Sequence, residues 1–531
     1  MTTTLQYTPL ADIPKIHEEL RAGFYSGKLK SLSYRRYQLL QLAYAFQENI
    51  EAFNNALYAD LARPPLESDL AELGAILNEI KYVLDNFESW AKTEKAPFNI
   101  KYAAMKPIIR KEAKGVVLII TPFNYPLFLA IAPVAGAIAA GNTVLLKASE
   151  QTPASSSLMA QMLHKYLDPD VIRVVNGAVP ETTKLLELRW DHILYTGGEK
   201  VGRIVATAAA KHTTPVTLEL GGKSPVFIDP SCDLVSTTKR LLWGKYVNAG
   251  QTCVSPDYVM VPEHFKDTFL KVLKETYNEF FANVSPSNFT HLISSNAYDR
   301  ISSMITSSHG SIVAGGMKGA DQAQKFIPPT VVENVRADDS LMSDEIFGPI
   351  LPIMTVKDVD EAIRFVNERP HPLALYVFAT DNAVKKKVMD NTQSGGVLMN
   401  EILIHIGIPG IPFGGVGNSG YGAYTGKYTF DMFTHFRCSI DAPSWIDKLL
   451  SARFPPYSDK KRQALTRLAP KFPPKPKGPP TAQEIQASLA GKGGKIKWSS
   501  WFVLAAFVAL LSKNYERVPT LAGLIARIRA L

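Results

Sequence analysis

The sequence predicts an α/β protein built on doubly wound, largely parallel sheets. Residues 115–220 and 224–399 alternate short apolar runs with longer helix-like segments, which is the pattern of βαβ units. The length of 531 residues is too great for one ordinary hydrophobic core, so two or three domains are expected. We therefore expect a nucleotide-binding sheet in the first stretch and a second α/β domain in the next.

The elements are expected in the following order. Helices should fill much of the first hundred residues, because apolar residues recur at helical spacing in 37–46 and 70–90. In the first alternating stretch, the expected strands are 116–120, 144–147, 171–176, 192–196 and 216–220, and the expected helices are 126–140, 153–167 and 201–211. Thr152 and Pro153 suit the N-cap and first position of one of these helices. In the second stretch, helices are expected over 234–247 and 264–281.

Composition excludes several classes of protein. Apolar residues make up 46% of the chain and charged residues 20%, which favours a folded body over disorder. The first residues show no basic stretch followed by an apolar one, so no secretory signal is expected and the body is expected in the cytosol. Cys232, Cys253 and Cys438 form no C-x-x-C pair, so we expect free thiols and no metal site.

The positive charge is concentrated at the end of the chain. The formal net charge is +9, and residues 448–531 hold 16 Lys and Arg against 3 Asp and Glu, so this tail carries +13 and the rest −4. Residues 471–497 are rich in Pro, Gly and Lys, which suits an extended, poorly ordered linker. A basic tail can attract nucleic acid, but this one leads into an apolar run, which favours an anionic membrane surface instead.

The apolar run covers residues 498–512, has no charge and is bounded by Lys497 and Lys513. As a helix it would extend about 22 Å at ~1.5 Å per residue, short of a ~30 Å hydrocarbon core, so it is intermediate between spanning and lying in the interface. Residues 521–531 are amphipathic and basic, a second surface contact. The alternative is a terminal helix packed on the enzyme or on a dimer partner.

Cys253 is a candidate nucleophile because of its context. It follows an expected helix and precedes Pro256, so it should lie in a loop, where reactive groups are placed. A lone cysteine is more often a small buried hydrophobe, and that reading stays open on this residue alone.

Two further polar residues follow apolar strands. Glu219 stands near the end of one strand, between Leu218 and Leu220, where burial of a carboxylate is costly without a task or a partner. Asn124 follows strand 116–120, at the strand end where open α/β sheets bind ligands, and its amide can donate to a developing oxyanion. The plain alternatives are a structural glutamate and an Asx-turn.

Nucleotide-binding signals lie between other elements of the first sheet. Gly197 and Gly202 form a G-x-x-x-x-G between a strand and a helix, a weak motif that is not G-x-G-x-x-G. Lys147 and Glu150 follow the preceding strand and offer an ammonium and a carboxylate to ribose hydroxyls. A solvated loop pair is the alternative for these two residues.

Together these segments resemble the aldehyde dehydrogenase superfamily, in the family's usual order. The matching motifs are TPFNYP, LLKASE, YTGGEKVG, LELGGKSP, GQTCVSPDY, DEIFGP at 344–349 and PFGGVGNSGYGAYTGKYTFDMFTH at 412–435. The resemblance covers about 34–437, and its last block is similar to the class 3 or fatty aldehyde dehydrogenase branch. It implies aldehyde oxidation to acids with NAD or NADP, of medium- to long-chain aliphatic aldehydes in particular.

The resemblance also implies roles for individual residues. Cys253 matches the family's nucleophile, Glu219 its general base and Asn124 its oxyanion donor. The residues that match cofactor contacts are Lys147 and Glu150 at the adenosine ribose, Gly197 beside the pyrophosphate, and Glu345 and Phe347 at the nicotinamide ribose and ring, with Gly202 in the same glycine motif as Gly197. Two positions depart from the family pattern: Ala148 replaces the usual proline, and Gly198 stands where many members have Ser or Asn.

The implied architecture is a Rossmann-type cofactor domain, an α/β catalytic domain and a small oligomerisation arm of a homodimer. Its expected divisions are 1–220 with arm strands near 101–114, then 221–399, a return segment and arm at 400–440, a linker at 441–497 and a membrane-association segment at 498–531. The catalytic body should face the cytosol on the endoplasmic reticulum, the mitochondrial outer membrane or a lipid body.

Two other functions stay in comparison with this one. An acyl transferase to coenzyme A would not need a base that activates water, and Glu219 is present. A non-catalytic membrane scaffold on the same fold should have lost Cys253, Glu219 or Asn124, and all three are retained.

Overall fold

The computed structural model describes residues 4–467, 470, 472–476 and 478–489. The chain divides into two compact units, Met1–Pro443 and Ser444–Leu531. The apolar run at 498–512 and the expected membrane segment 498–531 lie outside the described residues.

The bounds of the elements are as follows. The helices are α1 Ile13–Tyr25, α2 Leu32–Gln47, α3 Ile50–Leu61, α4 Pro65–Ser68, α5 Gly74–Trp90, α6 Phe128–Ala140, α7 Pro153–Tyr166, α8 Val179–Leu186, α9 Glu199–Ala210, α10 Leu234–Tyr246, α11 Lys266–Phe281, α12 Ser295–Ser307, α13 Val359–Asn367, α14 Asn382–Asn391, α15 Lys427–Met432, α16 Ile446–Leu449, α17 Asp459–Arg467 and α18 Ala482–Leu489. The strands are β1 Glu94–Lys95, β2 Ile108–Ala113, β3 Val116–Ile120, β4 Thr143–Lys147, β5 Ile172–Val175, β6 His192–Thr196, β7 Val216–Glu219, β8 Ser224–Ile228, β9 Pro256–Pro262, β10 Ser311–Ala314, β11 Thr330–Glu333, β12 Ile350–Val356, β13 Ala374–Phe378, β14 Gly396–Met399, β15 Gly420–Tyr421 and β16 Thr434–Ser439.

The first sheet has six strands in the order β15-β7-β6-β3-β4-β5, parallel except for β15. All five side chains of β3 are buried, because they alternate between an apolar layer that includes α6 and another that includes α1, α8 and α9. Helices therefore cover both faces, and the predicted doubly wound sheet is confirmed. Its carboxyl edge carries the chain segments that follow β3, β4, β6 and β7.

The second sheet has seven strands in the order β10-β11-β12-β9-β8-β13-β14, parallel except for β10. Its strands begin at Ser224 and end at Met399, which matches the second α/β region predicted from the alternation. The finer domain divisions at 220, 399 and 440 stay predictions.

The expected arm is a three-stranded antiparallel sheet, β1-β2-β16. Strand β2 starts at Ile108, later than the expected 101–114, because Pro107 fixes the backbone before it and residues 103–105 form a short 3₁₀ turn. Strand β16 pairs with all of β2 and so joins the chain after residue 433 to the segment before β3.

One helical prediction is confirmed and another needs correction. The stretch predicted as helical over 70–90 is helical throughout, as a π-helical turn at Asp69–Leu73 followed by α5, which begins at Gly74. In the second unit, residues 482–489 form helix α18 where an extended linker was expected. A capping box starts this helix, since Glu484 accepts from the Thr481 backbone N–H at 2.7 Å and the Thr481 hydroxyl accepts from that of Glu484 at 3.3 Å. Within the described residues, no helix combines the length and apolar character needed to cross a membrane.

Candidate active site

Cys253 lies in a sharply turned loop between α10 and β9 and is half-buried. Asn248, Ala249 and Gly250 all have positive φ, which reverses the chain before the cysteine. A β-carbon on Gly250 would lie 2.2 Å from the Gly348 carbonyl oxygen, so this position requires glycine on two grounds. The Gln251 amide donates to the backbone carbonyls of Asn248 and of residue 291, at 3.2 and 3.0 Å. These contacts fix the turn that precedes Cys253.

The surroundings of Cys253 favour the neutral thiol. Loss of hydration raises the pKa of the Cys253 thiol above 9.0, and the negative charges of Glu345 and Glu219 raise it further. The structure therefore brings these two carboxyl groups, from separate segments of the chain, within electrostatic range of one sulfur atom.

Glu219 is the last residue of β7 and is only 2% exposed. Neither carboxylate oxygen has a hydrogen-bond partner in the part of the chain that the structure describes. Burial raises the pKa of Glu219 well above 4.5. Strand β15 covers the outer side of β7, with Gly420 opposite Glu219. A carboxyl group without a structural partner at this site is available for proton transfer.

Asn124 lies in the middle of the segment between β3 and α6 and is 2% exposed. Its backbone carbonyl accepts from the Arg63 guanidinium and from the Asn248 side-chain amide, the latter at 2.9 Å. Its side-chain oxygen Oδ1 has no partner among the described residues. The backbone of Asn124 is thus tied to the cysteine loop through Asn248, while its side chain stays uncommitted.

Arg63 and Glu72 form a buried ion pair beneath this loop, and both are 0% exposed. Arg63 also donates to Oδ1 of Asn248 at 2.7 Å and lies over the Tyr125 ring. The second oxygen of Glu72 accepts from two backbone N–H groups at the start of α6, at 2.8 and 2.9 Å. Sequence reasoning missed this pair, which holds the backbone of Asn124 and the start of α6 together.

The residues expected at the cofactor line the carboxyl edge of the first sheet. Lys147 ends β4 and is paired with Glu150 at 2.7 Å. Gly197 follows β6, and the Tyr195 hydroxyl donates to the carbonyl of Gly198 at 3.3 Å. Gly198 is the N-cap of α9, and a β-carbon there would meet nothing within 4 Å. Open space beside a twelve-residue helix N-terminus fits the pyrophosphate of a dinucleotide.

Gly202, on the first turn of α9, packs against Leu220, and a β-carbon there would lie 2.8 Å from that side chain. This glycine therefore allows α9 to pack closely on the Leu220 side chain, and its assignment to the cofactor-binding residues stays a prediction. The contact with Leu220 also fixes the position of the N-terminus of α9.

Glu345 and Phe347 lie in the loop before β12, and both are half-buried. The Glu345 carboxylate rests on Gly221, since a β-carbon there would lie 2.1 Å from Oε2. Loss of hydration and the charge of Asp257 raise the pKa of Glu345 to about 8. Phe347 has a positive φ of 45° and meets the Phe123 ring edge to face at 5.8 Å between centroids. This loop and the segment after Glu219 are therefore in direct contact.

An apolar cavity of about 400 Å³ leads to Cys253. Its walls come from the π-helical turn and α5, from α6, from α10, and from residues 403–413, with Tyr424 beside them. The Tyr424 hydroxyl is buried, has no partner among the described residues and lies within electrostatic range of Glu219 and Cys253. Its apolar lining includes Phe128, Leu129, Trp243, Leu403, Ile406 and Phe413. Sequence reasoning did not find this cavity, although Tyr424 lies within one of the quoted motifs.

A half-buried cysteine thiol, a buried carboxyl group without a hydrogen-bond partner among the described residues and a doubly wound parallel sheet therefore occur together at this site, a combination that suits an oxidoreductase. The family comparison is specific, since the model described as "Aldehyde dehydrogenase family" matches residues 2–438. The chain belongs to the aldehyde dehydrogenase family. The predicted fold and the oxidation of aldehydes to carboxylic acids with NAD or NADP are thereby confirmed.

Individual relatives agree with this assignment. The chain is 43% identical over 444 residues to aldehyde dehydrogenase family 3 member A2 of Mus musculus, covering 83% of this chain and 91% of that one. It is 40% identical to the dimeric NADP-preferring aldehyde dehydrogenase of Canis lupus familiaris, covering 84% and 98%. Among solved structures, the substrate-bound AldH of Staphylococcus aureus matches with a TM-score of 0.83 and 37% identity, covering 86% of this chain and 99% of that chain.

Proposed function

We propose that this enzyme oxidises medium- to long-chain aliphatic aldehydes and that Cys253, Glu219 and Asn124 carry out the chemistry. The observation that carries the substrate class is the apolar cavity that ends at Cys253. An alkyl chain in this cavity would replace water against apolar walls, a gain of roughly 25 cal/mol per Å² of apolar surface. A short aldehyde buries less apolar surface in the cavity, so the affinity of the enzyme for its substrate should rise with the length of the alkyl chain.

The proposed reaction starts when the Cys253 thiol gives its proton to solvent water and the resulting thiolate sulfur attacks the aldehyde carbon, whose carbonyl electron pair moves to the oxygen. The Asn124 amide and the Cys253 backbone N–H donate to the resulting oxyanion. When bound, oxidised NAD or NADP supplies the chemistry of hydride acceptance from that carbon, and a thioester remains on Cys253. Glu219 then takes a proton from water, whose oxygen attacks the thioester carbon, and the acid leaves as the thiolate is restored.

Other residues would hold the cofactor. We assign the Lys147–Glu150 pair to the adenosine ribose, the N-terminus of α9 at Gly197 and Gly198 to the pyrophosphate, and Glu345 with Phe347 to the nicotinamide ribose and ring. The first two assignments are supported by the position of these residues at the carboxyl edge of the first sheet and by the open space at Gly198, and the third by the contact of Glu345 with Gly221. The absent side chain at Gly198 leaves the helix N–H groups as the donors to phosphate.

The substrate class is tested by a series of linear aldehydes of increasing chain length, assayed with NAD and with NADP through the absorbance of the reduced nicotinamide. We expect KM to fall as the chain lengthens while kcat changes less, because the added contacts are made before and during the reaction alike. An invariant KM across the series would contradict the assignment of the cavity to an alkyl chain.

We further propose a homodimer joined through the β1-β2-β16 arm and anchored to a membrane by residues 498–531. The arm exposes Phe436 and Ile440, which are 45% and 63% exposed, and the Canis lupus familiaris relative is named dimeric. The tail argument rests on its +13 charge and on the uncharged run at 498–512.

Cell fractionation distinguishes a tail that anchors the enzyme to a membrane from a tail that packs on protein. The full-length protein should resist a salt wash and be released by detergent, because apolar burial holds it in addition to charge. A chain truncated after Lys477 should enter the soluble fraction and still oxidise short aldehydes. A full-length protein found in the soluble fraction would show that the tail packs on protein instead.

A further inference from the structure

A buried charged cluster lies beside the proposed nicotinamide-ribose site, and it consists of Lys223, Lys245, Asp257 and Glu345. Lys245, on α10, is 0% exposed, and its Nζ has no hydrogen-bond partner among the described residues. The carboxylate paired with it, Asp257 Oδ1, is 4.0 Å away. Burial of an ammonium group without a hydrogen bond destabilises the folded protein unless nearby opposite charges compensate for the lost hydration.

Asp257, on β9, is already occupied by other donors. Its Oδ1 accepts from the Ile346 backbone N–H at 3.1 Å, and its Oδ2 accepts from Lys223. Lys223 also donates to the carbonyls of Leu341 and Asp344, at 2.9 and 2.8 Å. Asp257 and Lys223 therefore fix the backbone of the loop that carries Glu345, a structural task that does not need Lys245.

Glu345 is held between opposing charges. Asp257 and Asp344 disfavour its ionised form, whereas Lys223 and a hydrogen bond from the Gly222 backbone favour it. Lys245 interacts with the same carboxylate and also with Asp257 and Lys223. Burial raises the pKa of Glu345 to about 8 and lowers that of Lys245 to about 8, so nearby charges can change the protonation of either group near neutral pH.

We propose that Lys245 is a positioning residue whose buried positive charge offsets Asp257 and favours the ionised form of Glu345, which accepts hydrogen bonds from the hydroxyl groups of the nicotinamide ribose. This inference rests on the proposed role of Glu345. A ribose hydroxyl donates more strongly to a carboxylate than to a neutral carboxylic acid. Removal of the charge at Lys245 should therefore weaken binding of the nicotinamide half of the cofactor and leave binding of the adenosine half unchanged.

The test is the binding of NAD and of ADP to the full-length enzyme without aldehyde, by calorimetry from neutral to alkaline pH. For Lys245→Met we expect the pH at which NAD binding becomes strong to move up by about one unit, the low end of the ~1–3 units by which an opposite charge changes a carboxyl pKa. ADP lacks the nicotinamide ribose, so its affinity should not change. Lys239→Met, on the surface of the same helix, is the matched control and should leave the pH dependence of NAD binding and of ADP binding unchanged.

Two further variants distinguish a charge effect from loosened packing. Asp257→Asn removes the anion that opposes Glu345 and should move the NAD profile toward lower pH, the direction opposite to Lys245→Met. Movement of both variants in the same direction, or loss of ADP binding by Lys245→Met, would overturn the proposal. In a Glu345→Gln background, Lys245→Met should have no further effect on NAD binding.

The Glu345→Gln variant also separates the two levels of inference. If Glu345→Gln binds NAD as the wild type does, the proposed role of Glu345 is wrong. If it weakens NAD binding but Lys245→Met leaves the pH profile unchanged, the role of Glu345 stands and that of Lys245 is wrong.

Discussion

Replacement of Arg63 by methionine tests the buried support beneath the active site. The substitution removes the partner of Glu72 and one donor to the Asn124 carbonyl, while the methionine fills much of the same volume. Loss of one partner from a buried ion pair costs about 3–5 kcal/mol. Because about 1.4 kcal/mol changes an equilibrium constant tenfold, the unfolded population should rise by about a hundred-fold to a few thousand-fold.

The pH dependence of this loss follows from Glu72. Burial already raises the pKa of Glu72, and Arg63 opposes that rise. Without Arg63 the folded-state pKa should rise further above the unfolded value of about 4.3, so the folded state prefers the protonated form. Stability of the variant relative to wild type should therefore be highest in acid and fall as the pH rises through the raised folded-state pKa.

Urea unfolding followed by tryptophan fluorescence measures this loss at several pH values. Arg336→Met is the matched control, because Arg336 pairs with Asp338 at 3.3 Å while both side chains are 77% exposed, and an exposed pair is worth about 1 kcal/mol or less. Equal urea midpoints for the two variants would refute the argument that the buried network stabilises the loop. A loss of stability that does not depend on pH would refute the assignment of the effect to Glu72.

Three more predictions concern the reaction. Cys253→Ala should abolish turnover and keep cofactor binding, as measured by calorimetry, since the thiol forms the adduct but does not hold the nucleotide; normal turnover would remove Cys253 from its role. Glu219→Gln should give a single burst of reduced cofactor with acyl-enzyme detected by mass spectrometry, and it should lack the rise of hydrolysis with pH that the raised pKa of Glu219 predicts for the wild type. A correctly folded Glu219→Gln enzyme without a burst would place this residue at an earlier step. Ala75→Phe, which narrows the apolar cavity, should raise KM for long aldehydes while short ones react as before, and an equal loss for both would indicate general damage.

Short apolar runs were enough to predict the strands of the first sheet. Strand β3 was expected over 116–120 and has these bounds, because a strand buried on both faces leaves an uninterrupted apolar signature. Apolar spacing correctly indicated a helix over 70–90, but periodicity of 3.6 residues cannot reveal that its first turn, Asp69–Leu73, is π-helical. Local pattern therefore determines the element and not its terminal turn.

The candidate site was only partly accessible from sequence. Cys253, Glu219 and Asn124 stood out because each follows an element in a distinctive motif. Arg63 and Lys245 did not, because a single basic residue on or beside a helix normally indicates a solvated surface. Their burial depends on contacts with segments far away in the chain, such as Asn248 for Arg63 and Asp257 for Lys245.

The pairing of β15 with β7 has a consequence for how the enzyme is made on the ribosome. Glu219 emerges about 200 residues before Gly420, its neighbour across the strand pair. At ~5–20 residues per second, β7 waits about 10 to 40 seconds as an uncovered sheet edge, a surface that invites pairing with other nascent chains. Tyr424 and the cavity wall around Phe413 arrive with the same late segment, so no ribosome-bound intermediate shorter than this holds a complete pocket for a reactive aldehyde.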